Sequence, residues 1–179
     1  PADPDPSGGF YIPIQVSLVG DPLVRSFGFH RIRCDLAGAT RDIFEAFQEG
    51  YKANQHPRVA SLKSSDASGE FDFLIGQEGN VTPGATISLQ LEVRADSFED
   101  YIVYSAENAR LFDRKESLFV SWYVSDGLLE SFTQSVPGAS RTVSNTWVAP
   151  DTAGSVYGWV VLRDARGGTS WQEFVLSVQ

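Results

Sequence analysis

Between Ala85 and Val93 the sequence alternates without a break: Ala85, Ile87, Leu89, Leu91 and Val93 hold the odd positions and Thr86, Ser88, Gln90 and Glu92 the even ones. Successive side chains of a strand point to opposite faces, so this pattern describes a strand with one face in a core and one in water. A helix does not satisfy it, because a 3.6-residue period would scatter the apolar side chains around the axis. Leu118–Val124 repeats the arrangement, with Leu118, Val120, Trp122 and Val124 inward, and Asp126-Gly127 ends it in a tight turn.

Weaker strands are expected at Val59–Ser64, Glu70–Ile75, Tyr101–Ser105, Leu129–Gln134 and Arg141–Val148. Two stronger ones, Val156–Arg163 and Thr169–Val178, flank Asp164-Ala-Arg-Gly-Gly168, whose glycines suit a hairpin loop. Roughly seven to nine short strands with turns about every 8–12 residues predict an antiparallel β-sandwich over residues 58–179.

The chain ahead of the sandwich reads differently. Residues 1–9 contain three prolines and two glycines and predict a flexible tether, behind which a lipid anchor upstream of Pro1 is one expectation. Phe10, Ile12, Ile14, Val16 and Leu18 alternate as a strand, in which Pro13 favours an edge. Gly20-Asp21-Pro22 turns the chain into a second strand over Arg25–Cys34. Ile43, Phe44, Phe47 and Tyr51 then mark one face of a helix, with Thr40 as N-cap and Gly50 near its end. Asn54-Gln-His-Pro57 breaks the pattern, so residues 10–57 predict a strand–strand–helix segment packed on the sandwich.

Composition removes several function classes. Among 179 residues, 23 are acidic and 14 basic, for a net charge of −9. Binding nucleic acid through phosphates needs a clustered Lys/Arg surface, so that class is excluded. No apolar run approaches the ~18 residues of a spanning helix. One cysteine, Cys34, excludes an internal disulfide framework and any zinc site built from cysteine alone.

Catalytic residue types are scarce. An imidazole base could come only from His30, within an expected strand, or from His56, ahead of a proline; both are expected to be structural or solvent-facing. His30 and Cys34 would lie ~13 Å apart along a strand at about 3.3 Å per residue, too far for a metal pair. Cys34 reads as a small buried hydrophobe. Glu99 with Asp100, or Glu107 with Asp113, are the carboxylates a glycosidase-type pair would use, although acids at this density mostly form a solvated face. Calcium suits loops carrying Asp126, Asp151 and Asp164, but none forms an EF-type run, and no metal or cofactor is assigned. Asn80-Val-Thr82 matches a glycosylation sequon by chance.

Three stretches carry a resemblance: Leu118-Phe-Val-Ser-Trp-Tyr123 ahead of its glycine turn, Thr146-Trp-Val-Ala-Pro-Asp-Thr-Ala-Gly154 leading to Tyr157, and Trp159-Val-Val-Leu-Arg-Asp-Ala-Arg-Gly-Gly168. With them the C-terminal part resembles a bacterial immunoglobulin-like domain of cell-surface proteins and lipoproteins. Arg33-Cys-Asp-Leu-Ala-Gly-Ala-Thr40 and the Tyr51-to-Pro57 stretch make the whole similar to surface lipoproteins of myxobacteria. The resemblance implies that Trp122 packs between the sheets, that Tyr157 pins a corner, and that Leu89 and Trp159 stand where antibody domains place their inter-sheet cysteines. It implies an extracytoplasmic location and supplies no catalytic residues.

Val156–Arg163 is apolar on both faces. Immunoglobulin geometry would turn Tyr157 and Trp159 inward and leave Val156, Val160 and Leu162 outward, whereas the opposite parity would expose the aromatic set. Phe119, Tyr123 and Trp171 extend whichever outer surface results. Either residues 10–52 cover it, or it is a patch for a partner protein, another copy or a glycan. The expected function is a non-catalytic surface or envelope module for protein binding or assembly. A carbohydrate-binding module using outward Trp and Tyr is the alternative, and a hydrolase with paired carboxylates the third choice.

Overall fold

The computed structural model describes residues 9–20, 23–33, 36, 38–66, 69–73 and 78–179. In chain order the elements are β1 (Gly9–Leu18), β2 (Val24–Arg33), α1 (Arg41–Gly50), β3 (Val59–Asp66), β4 (Gly69–Asp72), β5 (Glu78–Val81) and β6 (Thr86–Val93). They continue with β7 (Asp100–Ser105), β8 (Arg110–Lys115), β9 (Leu118–Val124), β10 (Leu128–Leu129), β11 (Thr133–Val136), β12 (Thr142–Val148), β13 (Gly154–Asp164) and β14 (Thr169–Val178). Cys34 and residues 1–8 lie outside the described residues, so the expectations for that thiol and for the tether are not addressed.

The chain divides into two compact units. One comprises Pro1–Ala53 with Asp100–Lys115, the other Asn54–Glu99 with Glu116–Gln179. The boundary therefore falls before Asn54 rather than at Pro57, and the strand anticipated at Tyr101–Ser105 leaves the sandwich. It joins β8, a charge-rich strand without clean alternation, in a separate hairpin.

The second unit is an immunoglobulin-like antiparallel sandwich. One sheet has the order β10-β12-β6-β3-β4 and the other β11-β9-β13-β14-β5, with every pairing antiparallel except β14 to β5. Alternation aims the apolar rows of both sheets into one core that includes Leu62, Leu89, Leu91, Val120, Val160, Leu162 and Leu176. Fully burying one such side chain is worth about 1.5–3 kcal/mol. Trp122 and Trp147 lie in this core and still satisfy their indole N–H groups, which donate to Gln134 Oε1 at 2.8 Å and to the Asp126 carbonyl at 3.0 Å.

The strand expected at Leu129–Gln134 is split, because the chain there crosses from one sheet to the other. Buried Asn145 holds the crossing: its side chain accepts from the Ser131 amide at 3.1 Å and donates to the Ser131 carbonyl at 2.7 Å.

Parity on β13 is the reverse of the immunoglobulin expectation. Val156, Val160 and Leu162 are buried, whereas Tyr157 is 52% and Trp159 38% exposed. Gly158 explains the choice. It faces Phe174 across the β13–β14 ladder, and a Cβ at Gly158 would overlap the Phe174 ring. With Trp122, Trp147, Phe73 and Phe174 already inside, the core has aromatic volume from other strands and takes only small or aliphatic side chains from β13. Leu89 and Trp122 are buried as expected; Tyr157 and Trp159 are corrected from core to surface.

In the first unit, α1 forms where its apolar spacing predicts. Thr40 occupies the N-cap with extended dihedrals, but its hydroxyl makes no capping bond to the backbone. It bonds instead to Asp42, and that bond is the largest cause lowering the Asp42 pKa. The helix face of Phe47, with Ile43, Phe44 and Tyr51, packs with Leu36, Tyr104, Ile102 and Leu111. The expected partner of this face was the sandwich; here the β7–β8 hairpin supplies it. β1 and β2 form a two-stranded sheet in unbroken register from Gly9 opposite Arg33 to Leu18 opposite Val24.

Candidate functional site

Three neighbouring strands of the sandwich, β9, β13 and β14, build the surface richest in exposed aromatic residues. Their registers set the rows. Trp159 stands between Tyr123 and Glu173, and the next row sets Val161 between Ser121 and Trp171. Beyond it Arg163 lies between Phe119 and Thr169. Trp171 is 69% and Tyr123 50% exposed, with Phe119 at 42%. Thus all three proposed binding residues share one outer face, and Tyr157 and Trp159 join them because of the parity of β13. Ser121 is the exception: it is buried on this face, where Arg163 Nη1 donates to its hydroxyl at 3.2 Å.

Such a face suits docking. Large apolar side chains standing in water gain free energy when covered, and aromatic residues with Arg are the usual anchors of interfaces. Arg163 and Glu173 put one charge of each sign beside the aromatic rows, which fixes orientation more than affinity.

Trp171 also borders a concavity. Beside β3 and β14 lies a groove of about 550 Å³ lined by Arg58, Ser61, Asp72, Arg94, Trp171 and Gln172, among others. Arg58 and Arg94 both bond to Asp96, so their charge is partly neutralised. Gln172 Nε2 donates to the Phe73 carbonyl at 2.9 Å, and the Ser170 hydroxyl, which also lines the groove, is buried with no hydrogen-bond partner among the described residues.

Another cluster forms around the hairpin loop between β13 and β14. Arg166 Nε donates to Glu116 Oε2 at 2.7 Å and its Nη2 to Glu99 Oε2 at 2.8 Å. Glu116 Oε1 accepts from the Ala165 amide at 3.0 Å. Asp164 Oδ1 accepts from the amides of Arg166 and Gly168 at 2.9 and 2.7 Å, and its Oδ2 accepts from Asn54 Nδ2 at 3.0 Å. Burial raises the Glu116 pKa despite the Arg166 hydrogen bond and charge that oppose it. These carboxylates hold a loop together, and the guanidinium stands where a cation would sit. The sequence nominated Glu99 and Asp164 for other roles and did not single out Glu116 or Arg166, because fifty positions separate the pair along the chain and no local pattern marks Glu116.

The remaining nominations are dispersed. Glu99 bonds Arg166, and Asp100 opens β7. Asp113 stands opposite Ile102 in the β7–β8 ladder, and Glu107 lies in the turn between those strands. Asp126 bonds the Gly127 amide at 2.7 Å, and Asp151 is exposed. His56 Nδ1 accepts from the Thr169 amide at 3.0 Å, and His30 lies opposite Ile12 in the β1–β2 ladder. Asn80 stands opposite Ser177 at the parallel edge. Among the described residues no three His, Cys, Asp or Glu side chains come together as a metal site, and no helix is long and apolar enough to cross a membrane.

No family model matches the sequence, and no curated protein matches it. Solved structures show likenesses at low identity. One is a nucleoside hydrolase-related hypothetical protein of Saccharophagus degradans associated with carbohydrate metabolism (17% identity, TM-score 0.43, over 71% of this chain and 26% of that one). A lipoprotein of Bacteroides thetaiotaomicron matches at 9% identity and TM-score 0.41, over 72% of this chain and 84% of its own. The D00-D0 domain of intimin matches at 11% identity and TM-score 0.40, over 94% of this chain and 64% of that one. The chain thus spans about a quarter of the first of these proteins. The assignment of the sandwich rests on its own strand order.

Proposed function

We propose that this chain is a non-catalytic, extracytoplasmic binding module that docks a partner protein, or another copy of itself, on the outer face of β9, β13 and β14. The observation that supports this reading is the alignment of Tyr123 with Trp159 and of Val161 with Trp171 in adjacent rows, the three aromatic side chains being exposed to water. Folding of the sandwich does not require aromatic residues there, since its inner face is filled from the opposite parity of the same strands. The acidic surface keeps such a module soluble, and the extracytoplasmic location follows the resemblance of its sequence motifs to bacterial surface domains.

Sedimentation velocity over a concentration series, combined with retention of envelope-fraction proteins, tests the reading. Trp159→Ser with Trp171→Ser is expected to weaken self-association or to remove a retained partner. A double variant that changes neither would sink it.

A second reading is favoured by the groove beside Trp171, where an aromatic ring adjoins polar Arg58, Ser61, Asp72 and Gln172. Aromatic and hydrogen-bonding groups side by side are what a sugar ring needs. Retention on polysaccharide that is lost in Trp171→Ala and kept in Tyr157→Ala would assign the groove to a glycan.

A further inference from the structure

We propose that the free edge of β2 receives an acidic, extended segment of a partner protein as a third strand. Among the described residues β1 and β2 pair only with each other, and a two-stranded ribbon is marginal by itself in water. Its even positions carry Ile12, Ile14, Val16, Leu18 and Val24, all exposed, with Phe27 at 72% exposure among the odd ones. Another strand would add the ladder and side-chain contacts that such a ribbon lacks.

The two edges are not equivalent. Pro13 has no N–H, and the register runs through it unshifted, so its nitrogen belongs on the free side of β1 and Pro13 with Phe29 forms a non-hydrogen-bonded pair. Proline therefore interrupts the outer edge of β1. By the same alternation Arg25, Phe27, Phe29, Arg31 and Arg33 direct their backbone N–H and C=O groups to the outer edge of β2, which contains no proline. That edge is a ready template for strand addition.

Charge selects the occupant. Residues 9–33 contain Arg25, Arg31 and Arg33 against Asp21 alone, whereas the rest of the chain has 11 basic and 22 acidic residues (14 less 3, and 23 less 1). A second copy is disfavoured at this edge. Antiparallel pairing of β2 with itself about Gly28 sets Arg25 opposite Arg31, and about Phe29 it sets Arg25 opposite Arg33; like charges directly opposite are destabilising. Two ribbons packed face to face would cover only a few hundred Å² each, from strands of about ten residues at ~3.3 Å rise, below the ~800 Å² per partner of a stable interface. An incoming strand with carboxylates opposite the three arginines and apolar side chains between them meets neither obstacle.

The test uses the full chain and a labelled nine-residue peptide with glutamate at positions 1, 3 and 9, valine at the even positions and threonine at 5 and 7. Paired antiparallel, those glutamates come opposite Arg33, Arg31 and Arg25. Saturable binding is expected by fluorescence anisotropy, with roughly tenfold or greater weakening when lysine replaces glutamate. The Arg25→Glu/Arg31→Glu variant should reverse that preference. Hydrogen exchange on the unaltered chain supplies a readout independent of the variant: the amides of Phe27 and Phe29 should become protected when peptide binds. Absence of saturation, equal affinity for both peptides, or unchanged exchange at those amides overturns the proposal. So does attachment of the ribbon to phosphatidylglycerol vesicles, or its dimerisation, without peptide binding.

Discussion

Arg166 Nε donates to Glu116 Oε2 at 2.7 Å, and both side chains are almost wholly withdrawn from water. Removing the guanidinium would leave a buried carboxylate without its cation, a change that costs about 3–5 kcal/mol. Arg166→Met should therefore lower stability by that order near neutral pH. Burial already raises the Glu116 pKa above its ordinary value of 4.5, and loss of Arg166 raises it further. Such an acid holds its proton more tightly in the folded state, so its unfavourable contribution develops as pH rises through the interval between the unfolded and folded values. Urea midpoints should show a smaller penalty near pH 4 than near pH 7. An equal loss at both would show that Glu116 does not carry the effect.

Gly158→Ala should destabilise the sandwich by about 1–3 kcal/mol through overpacking, because the new methyl overlaps the Phe174 ring. Combining it with Phe174→Leu should recover part of the loss. A double-mutant cycle with no coupling would disprove the contact as the cause.

Side chains on the outer face should be dispensable for folding. Tyr123→Ser, Trp159→Ser and Trp171→Ser are each expected to change stability by no more than ~0.5 kcal/mol. Trp122→Ala, on the inner face of the same sheet, should cost ~3–5 kcal/mol. Chemical denaturation of the four variants gives a direct reading of parity, and a large loss in Trp159→Ser would return that residue to the core.

Phe47→Ala should act within its own unit. Its side chain packs with Leu36 and Tyr104, so amides of Arg41–Gly50 and of the β7–β8 hairpin should exchange faster together. Amides of β6 and β13 are expected to keep their protection. Uniform acceleration across all four regions would contradict the division of the chain.

Alternation made the sandwich legible where one face is wet: Thr86–Val93 and Leu118–Val124 occur as strands with the anticipated residues inward. The same rule is silent on Val156–Arg163, where both parities are apolar. There Gly158 held the answer, since a residue without a side chain leaves space for a ring opposite, but only the register with Phe174 reveals it. Helix period found α1 but not its partner, because Arg110–Lys115 carries four charges on six residues and looks like a solvated loop. The Phe119, Tyr123 and Trp171 surface was partly readable from strand spacing. The buried ionic cluster was not, as its members come from distant turns.

Between β6 and β9 the chain makes an excursion that contains the β7–β8 hairpin. It leaves the sandwich at Glu99 and re-enters at Glu116, and the Glu116 amide donates to the Glu99 carbonyl at 2.8 Å while Arg166 grips both carboxylates. Departure and return thus share one clasp. The length of chain between these two ends can grow at little expense to the sandwich, because closure entropy grows only slowly with loop size. The junction at Glu99 and Glu116 is thus an insertion point that tolerates a longer excursion, provided that Ile102, Tyr104 and Leu111, which pack with the α1 face, are kept.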